Sequence, residues 1–174
     1  MKKRVLIICA IIAASFIGVY CIYHIQRAGI WDRFIKAAKD NQTLSILHEG
    51  GITTLMTDEQ IDKLPEVLDK TVPAASIKKD RDAYRKIADS LIENLSKQKA
   101  KPQRKIENDE TVKLGLQLDE KNFLYIYENS TALLSKDGKY YAYKIEDVNL
   151  LLEAYKEEFA KYKQDYVDPY YQLG

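Results

Sequence analysis

Tyrosines and a basic run, not any pairing of a nucleophile with a base, are the side chains here with most chemistry to offer. The chain holds 13 tyrosines, and Tyr125, Tyr127, Tyr140, Tyr141, Tyr143, Tyr170 and Tyr171 crowd into its last third. Rigid amphipathic rings with a polar tip cost little entropy to order and are enriched in binding surfaces, so these seven are a candidate partner surface. The ordinary alternative is that they cover a core. In Lys139-Tyr140-Tyr141-Ala142-Tyr143, strand alternation would put Tyr141 and Tyr143 on one face and Tyr140 on the other. The second feature is Lys97, Lys99, Lys101, Arg104 and Lys105, gathered around Pro102. These charges suit a polyanion, either anionic headgroups or a wall polymer; a solvated linker is the plainer reading.

Other chemistries lack their parts. A nucleophilic enzyme needs an activated Ser, Cys or Thr beside a base, and the only histidines are His24 and His48, with nothing nearby arranged to orient either ring. Asp80-Arg81-Asp82 lacks the glycine and later Glu of a calcium loop, and no two histidines share a helical face, so no metal is expected. Neither GxxxxGK[ST] nor GxGxxG occurs, so no cofactor is expected. Asp119-Glu120 and Glu157-Glu158 read as solvated charges, although a carboxylate pair in a cleft would be the requirement for a hydrolase acting on cell-wall polymer. Lys2, Lys3 and Arg4 are three of the 27 basic residues; the remainder carries 24 basic against 26 acidic residues, about −2 net, which argues against a nucleic-acid binder.

The residues that position everything else come first in the chain. Val5 to Gln26 is uncharged, and its nineteen strongly apolar central positions, at ~1.5 Å each, make a helix of roughly 28 Å, close to the ~30 Å of bilayer hydrocarbon. Lys2-Lys3-Arg4 sit at one end and Arg27 at the other; weighted by proximity, this places the amino terminus in the cytoplasm and the bulk of the chain outside. A signal peptide cut after Ser15 is the rival reading, but Phe16, Ile17, Val19, Tyr20, Ile22 and Tyr23 would then form an apolar new terminus. Ala14 and Gly18 have small-xxx-small spacing, a weak signal for a helix-mediated homodimer. Both cysteines, Cys9 and Cys21, lie within this segment, leaving the rest without thiols.

Ile30, Trp31, Phe34, Ile35 and Ala38 recur at helical spacing to about Asp40, and Trp31 is expected either at a membrane interface or in the core. Leu44–Leu47 and Ile52–Leu55 flank Gly50-Gly51 as a hairpin. Thr57 with Gln60 forms a capping box opening a helix at Asp58, with a kink or a restart at Pro65. Residues 79–96 carry a clear apolar stripe. The period then changes to 2, predicting strands at 112–118, 123–127, 131–135 and 139–145, the last pair joined by Asp137-Gly138, before a helix from Val148 to Tyr162.

The expected architecture is α+β: an N-terminal transmembrane helix, then one soluble domain with an antiparallel β-meander packed against amphipathic helices. Its divisions are 1–4 cytoplasmic, 5–26 signal-anchor, 27–43 juxtamembrane helix, 44–163 soluble domain with an exposed basic linker at 97–109, and 164–174 tail. The expected function is a single-pass, extracytoplasmic binding or accessory module with a protein partner, non-enzymatic. A cytoplasm-facing regulatory subunit of a membrane complex is the alternative, and an anchored wall hydrolase the more remote one.

Overall fold

A computed structural model describes residues 2–48, 51–64, 74–106 and 111–163, with the side chains of residues 2–10 and 74 excepted. Its first element, α1, runs from Lys2 to Asp40 without a break, and 39 residues at ~1.5 Å each give a rod of roughly 58 Å. The apolar segment and the helical spacing after Arg27 therefore belong to one helix rather than two.

The two halves of α1 meet different surroundings. Ile11, Phe16, Ile17, Val19, Tyr20 and Ile25 are exposed, with Phe16 at 72%. Trp31, Phe34, Ile35 and Ala38, at i, i+3, i+4 and i+7, are buried, with Phe34 at 0% and Trp31 at 3%. The Trp31 ring lies 5.3 Å from that of Tyr143, so of the two places open to Trp31 it takes the core. This is the one helix among the described residues long and apolar enough to cross a membrane.

After α1 come β1 (Ser45–His48), β2 (Gly51–Thr54), α2 (Asp58–Asp62), α3 (Ala74–Lys97), β3 (Lys101–Gln103), β4 (Val112–Gln117), β5 (Phe123–Tyr127), β6 (Thr131–Lys136), β7 (Lys139–Lys144) and α4 (Val148–Tyr162). The expected hairpin and meander are both present, joined in one seven-stranded sheet of order β2-β1-β4-β5-β6-β7-β3 in which every neighbouring pair is antiparallel. The β6–β7 turn uses Asp137 at φ 54° and Gly138 at φ 75°, the left-handed pair that matches strand twist in a two-residue hairpin. The capping box at Thr57 forms as expected: its hydroxyl accepts from Gln60 N at 3.2 Å and its own N–H donates to Gln60 Oε1 at 2.8 Å. The kink or restart expected at Pro65 lies outside the described residues.

One expectation needs correction in part. The basic segment read as an exposed linker over 97–109 does expose its Lys and Arg side chains, but it is not linker throughout: Lys97 is the last residue of α3, Lys101–Gln103 form edge strand β3 on β7, and 107–109 lie outside the described residues. Three residues are too few for a period-2 signal, and Pro102 speaks against a strand unless it lies at an edge, which is where it is.

Alternation divides the sheet into two faces. Ile46, Leu114, Leu116, Leu124, Ile126, Ala132, Leu134 and Tyr143 point to the side covered by α1, α3 and α4, where Tyr84, Ala88, Leu91, Ile92, Leu95, Val148, Leu151 and Tyr155 complete the core. The buried hydroxyls of Tyr84 and Tyr155 meet at 3.0 Å, satisfying two polar groups the core would otherwise strand. The opposite face carries no helix among the described residues.

Because α1 contributes to this core only beyond Arg27, two phenylalanines of one helix should behave oppositely. Phe34→Ala should cost ~3–5 kcal/mol of domain stability, as burial predicts, whereas Phe16→Ala should stay within ~0.5 kcal/mol. Urea unfolding of the detergent-solubilised chain, followed by near-ultraviolet circular dichroism, would measure both.

Candidate functional site

The uncovered face is organised by strand register. One row crosses all seven strands, Ile52-Leu47-Gly115-Tyr125-Leu133-Ala142-Gln103. Beside it Gln117, Phe123, Ser135 and Tyr140 form a second row over four strands. Phe123 stacks on Tyr125 at 4.6 Å between centroids and stands 6.2 Å from Tyr140. Tyr125 lies over Gly115: a Cβ there would come within 2.9 Å of both Tyr125 Cδ1 and Leu47 Cβ. Glycine is required at this point because a neighbouring ring occupies the space a side chain would need. Gly115→Val should therefore cost ~1–3 kcal/mol through overpacking, read as a lower midpoint in the same urea titration, and Tyr125→Ala in the same chain should recover part of the loss.

At the β3 edge, tyrosines and basic residues converge. A hollow of about 240 Å³ is lined by Arg27, Arg104, Lys105 and Ile106 together with Tyr127, Leu133, Tyr140, Tyr141 and Ala142. Arg27 fastens this corner. Its guanidinium donates to Gln103 O at 2.7 Å and sits 4.5 Å above the Tyr23 ring and 5.5 Å from that of Tyr141, while the Tyr143 hydroxyl donates to the Arg27 carbonyl at 2.7 Å. Burial pushes the Tyr143 phenol up to about 12, so it remains a donor at any physiological pH.

On the other side of β3, a groove of about 720 Å³ runs between Pro102, Gln103 and Arg104 and the helix residues Phe16, Ile17, Val19, Tyr20, Tyr23 and His24. Arg104 lines both cavities. Among the described residues, Lys99, Arg104 and Lys105 form no ion pair, while Lys97 pairs with Glu93 and Lys101 with Glu146.

The expected partner surface is thus divided. Tyr125, Tyr127 and Tyr140 lie on the uncovered face, with Tyr140 63% exposed. Tyr143 is buried beneath α1, and Tyr141 is partly buried on that same face. Tyr170 and Tyr171 lie outside the described residues. Phe123, Leu47, Ile52 and Leu133 also belong to the uncovered face, a membership that strand alternation alone could have supplied. Arg27 carried no local signal for its role.

Against family models, curated proteins and solved structures alike, the chain finds no match.

His48 lies on the covered face of β1, its Nε2 3.3 Å from Thr53 Oγ1 and its ring 4.7 Å from that of Phe159. No group of three or more His, Cys, Asp or Glu gathers among the described residues. Burial holds the His48 pKa below its ordinary value of 6.5, because the charged imidazolium loses hydration there. A group with a depressed folded pKa binds its proton more readily when unfolded, so His48 contributes no penalty above pH ~6.5 and destabilises progressively as pH falls below it. The melting temperature should fall below pH 6.5 in the parent chain, and His48→Gln should flatten that decline.

Proposed function

We propose that this chain is a single-pass, membrane-anchored binding module, with α1 as an uncleaved signal-anchor and the α+β domain outside the cytoplasm. The observation that carries the reading is α1 itself: one helix, apolar and exposed from Ile11 to Ile25, buried in a protein core from Trp31 to Ala38. A helix apolar on every side needs an apolar environment on every side, and a bilayer supplies it for the first half as the domain does for one face of the second. Two considerations favour retention over cleavage. A cut after Ser15 would leave Phe16, Ile17, Val19, Tyr20 and Ile22 facing water, and the helix continues through that point without interruption. Lys2, Lys3 and Arg4 favour the cytoplasm for the amino end.

The module works by binding rather than by catalysis, and the uncovered sheet face is its working surface. Phe123, Tyr125 and Tyr140 form an aromatic cluster on a rigid antiparallel scaffold, with Ile52 65% exposed at the far edge. Rigid rings of this kind are what protein-binding surfaces use as anchors, and the helices on the opposite face leave them accessible.

Two experiments test the reading. A reporter active only outside the cytoplasm, fused after Gly174, should be active, and protease added to intact cells should remove the domain; an inactive reporter with full protection overturns the orientation. A photo-crosslinking residue at Tyr140 should give adducts of discrete mass in intact membranes, whereas one at Leu150, equally exposed on α4, should not. Indistinguishable patterns from the two positions would remove the sheet face as the working surface.

A further inference from the structure

From the groove between α1 and β3, we infer a binding site for one anionic glycerophospholipid, its acyl chain against Phe16, Ile17 and Tyr20 and its phosphate at Arg104, with Lys105 adding positive charge from the adjoining hollow. The inference rests on the membrane-spanning reading of α1 and adds a ligand to it. Most surfaces of a membrane anchor are smooth and offer lipids only transient contact. Here a strand edge descends alongside the apolar half of the helix, so that Pro102, Gln103 and Arg104 form one wall and Phe16, Ile17, Val19, Tyr20, Tyr23 and His24 the other.

The composition of the walls changes along the groove in the order a phospholipid requires. Phe16, Ile17 and Val19 are aliphatic or aromatic and largely exposed, as suits a hydrocarbon chain. Tyr20 and Tyr23 are amphipathic rings of the type that lie at headgroup level. Arg104 and His24 then supply nitrogen donors, and Lys105 lines the adjoining hollow together with Arg104.

Charge selects the class of lipid. Arg27 is already engaged, its guanidinium held by the Gln103 carbonyl and by two tyrosine rings. Arg104 and Lys105 form no ion pair with a carboxylate among the described residues. The Arg fork matches a phosphate bidentately, and each basic residue near an anionic surface adds to attraction for it. A zwitterionic headgroup would bring its own ammonium against Arg104 and Lys105, so phosphatidylglycerol-type lipids are favoured over phosphatidylcholine.

The test is native mass spectrometry of the full chain released from nanodiscs containing equal phosphatidylglycerol and phosphatidylcholine. One phosphatidylglycerol should be retained preferentially. Arg104→Gln with Lys105→Gln should weaken that retention by about tenfold or more, Arg104→Lys should fall between that variant and the parent because it keeps the charge and loses the fork, and Lys86→Gln, on the exposed side of α3, should change nothing. Circular dichroism of each variant establishes that it folds. Equal retention of both lipids, or unchanged phosphatidylglycerol retention in the double variant, overturns the site. Displacement by glycerophosphoglycerol, which has the headgroup and no chains, as effectively as by the lipid would show a phosphate site without a lipid groove and overturns it also. Alkaline carbonate extraction separates the two levels: release of the chain from membranes overturns the spanning reading and this inference together, whereas a chain that stays in the membrane but shows no lipid preference overturns the inference alone.

Discussion

The structure depends on a helix that keeps its hydrogen-bonded backbone while exchanging one set of neighbours for another. From Ile11 to Ile25 the side chains of α1 point outward on all sides; from Trp31 to Ala38 one stripe packs into the α+β core. Nothing articulates the two halves. Gly29 lies between them, but it lies inside the helix, so the residue that costs a helix most after proline is accommodated without a break. On the membrane reading, any tilt or rotation of the anchor is passed directly to the sheet, and the domain has a fixed height and facing rather than a tether's freedom.

Arg27 stands where the exchange occurs and joins the helix to the farthest strand of the sheet. The guanidinium is suited to this in a way an ammonium is not: its planar head can donate in-plane to the Gln103 carbonyl while its faces meet tyrosine rings. The Tyr143 hydroxyl adds a second lock by using the spare lone pair of the Arg27 carbonyl, whose helical partner occupies the other. Together these hold a three-residue strand containing a proline, which would pair poorly without support, against the sheet edge. The position of Arg104 and Lys105 follows from that arrangement.

How much of this is legible in the sequence depends on whether the deciding contact is local. The strands β4 to β7 are half-buried, so one side of each must be apolar and the period of 2 is forced; the same argument divides Tyr141 and Tyr143 from Tyr140 correctly. The capping box at Thr57 and the Asp137-Gly138 turn are local as well. What escaped is non-local. The pairing of Ile46 with Leu116 joins the first hairpin to the meander across some seventy residues, and no pattern within either strand names its partner. Strand β3 is visible only through its neighbour β7. The meeting of Arg27 with Tyr127, Tyr140 and Tyr141 at one hollow draws on three parts of the chain, none of which announces the others.

The uncovered sheet face limits what can occupy it. Phe123 and Tyr125 stack on one another along β5 and Tyr125 fills the space above Gly115 on β4, so the middle of the face is partly satisfied by its own packing along and across strands. The apolar area left open lies toward two margins, Ile52 on β2 and Tyr140 on β7, separated by five strand steps. At ~4.8 Å per step that is roughly 24 Å, wider than a small ligand and wider than a single peptide strand laid along the sheet. A small molecule can use one margin and a lone strand can cover a neighbouring pair of rows, but only a folded surface can desolvate both ends at once. On the proposed binding reading, engaging both margins at once would therefore require a broad, shallow surface rather than a small molecule or a single strand.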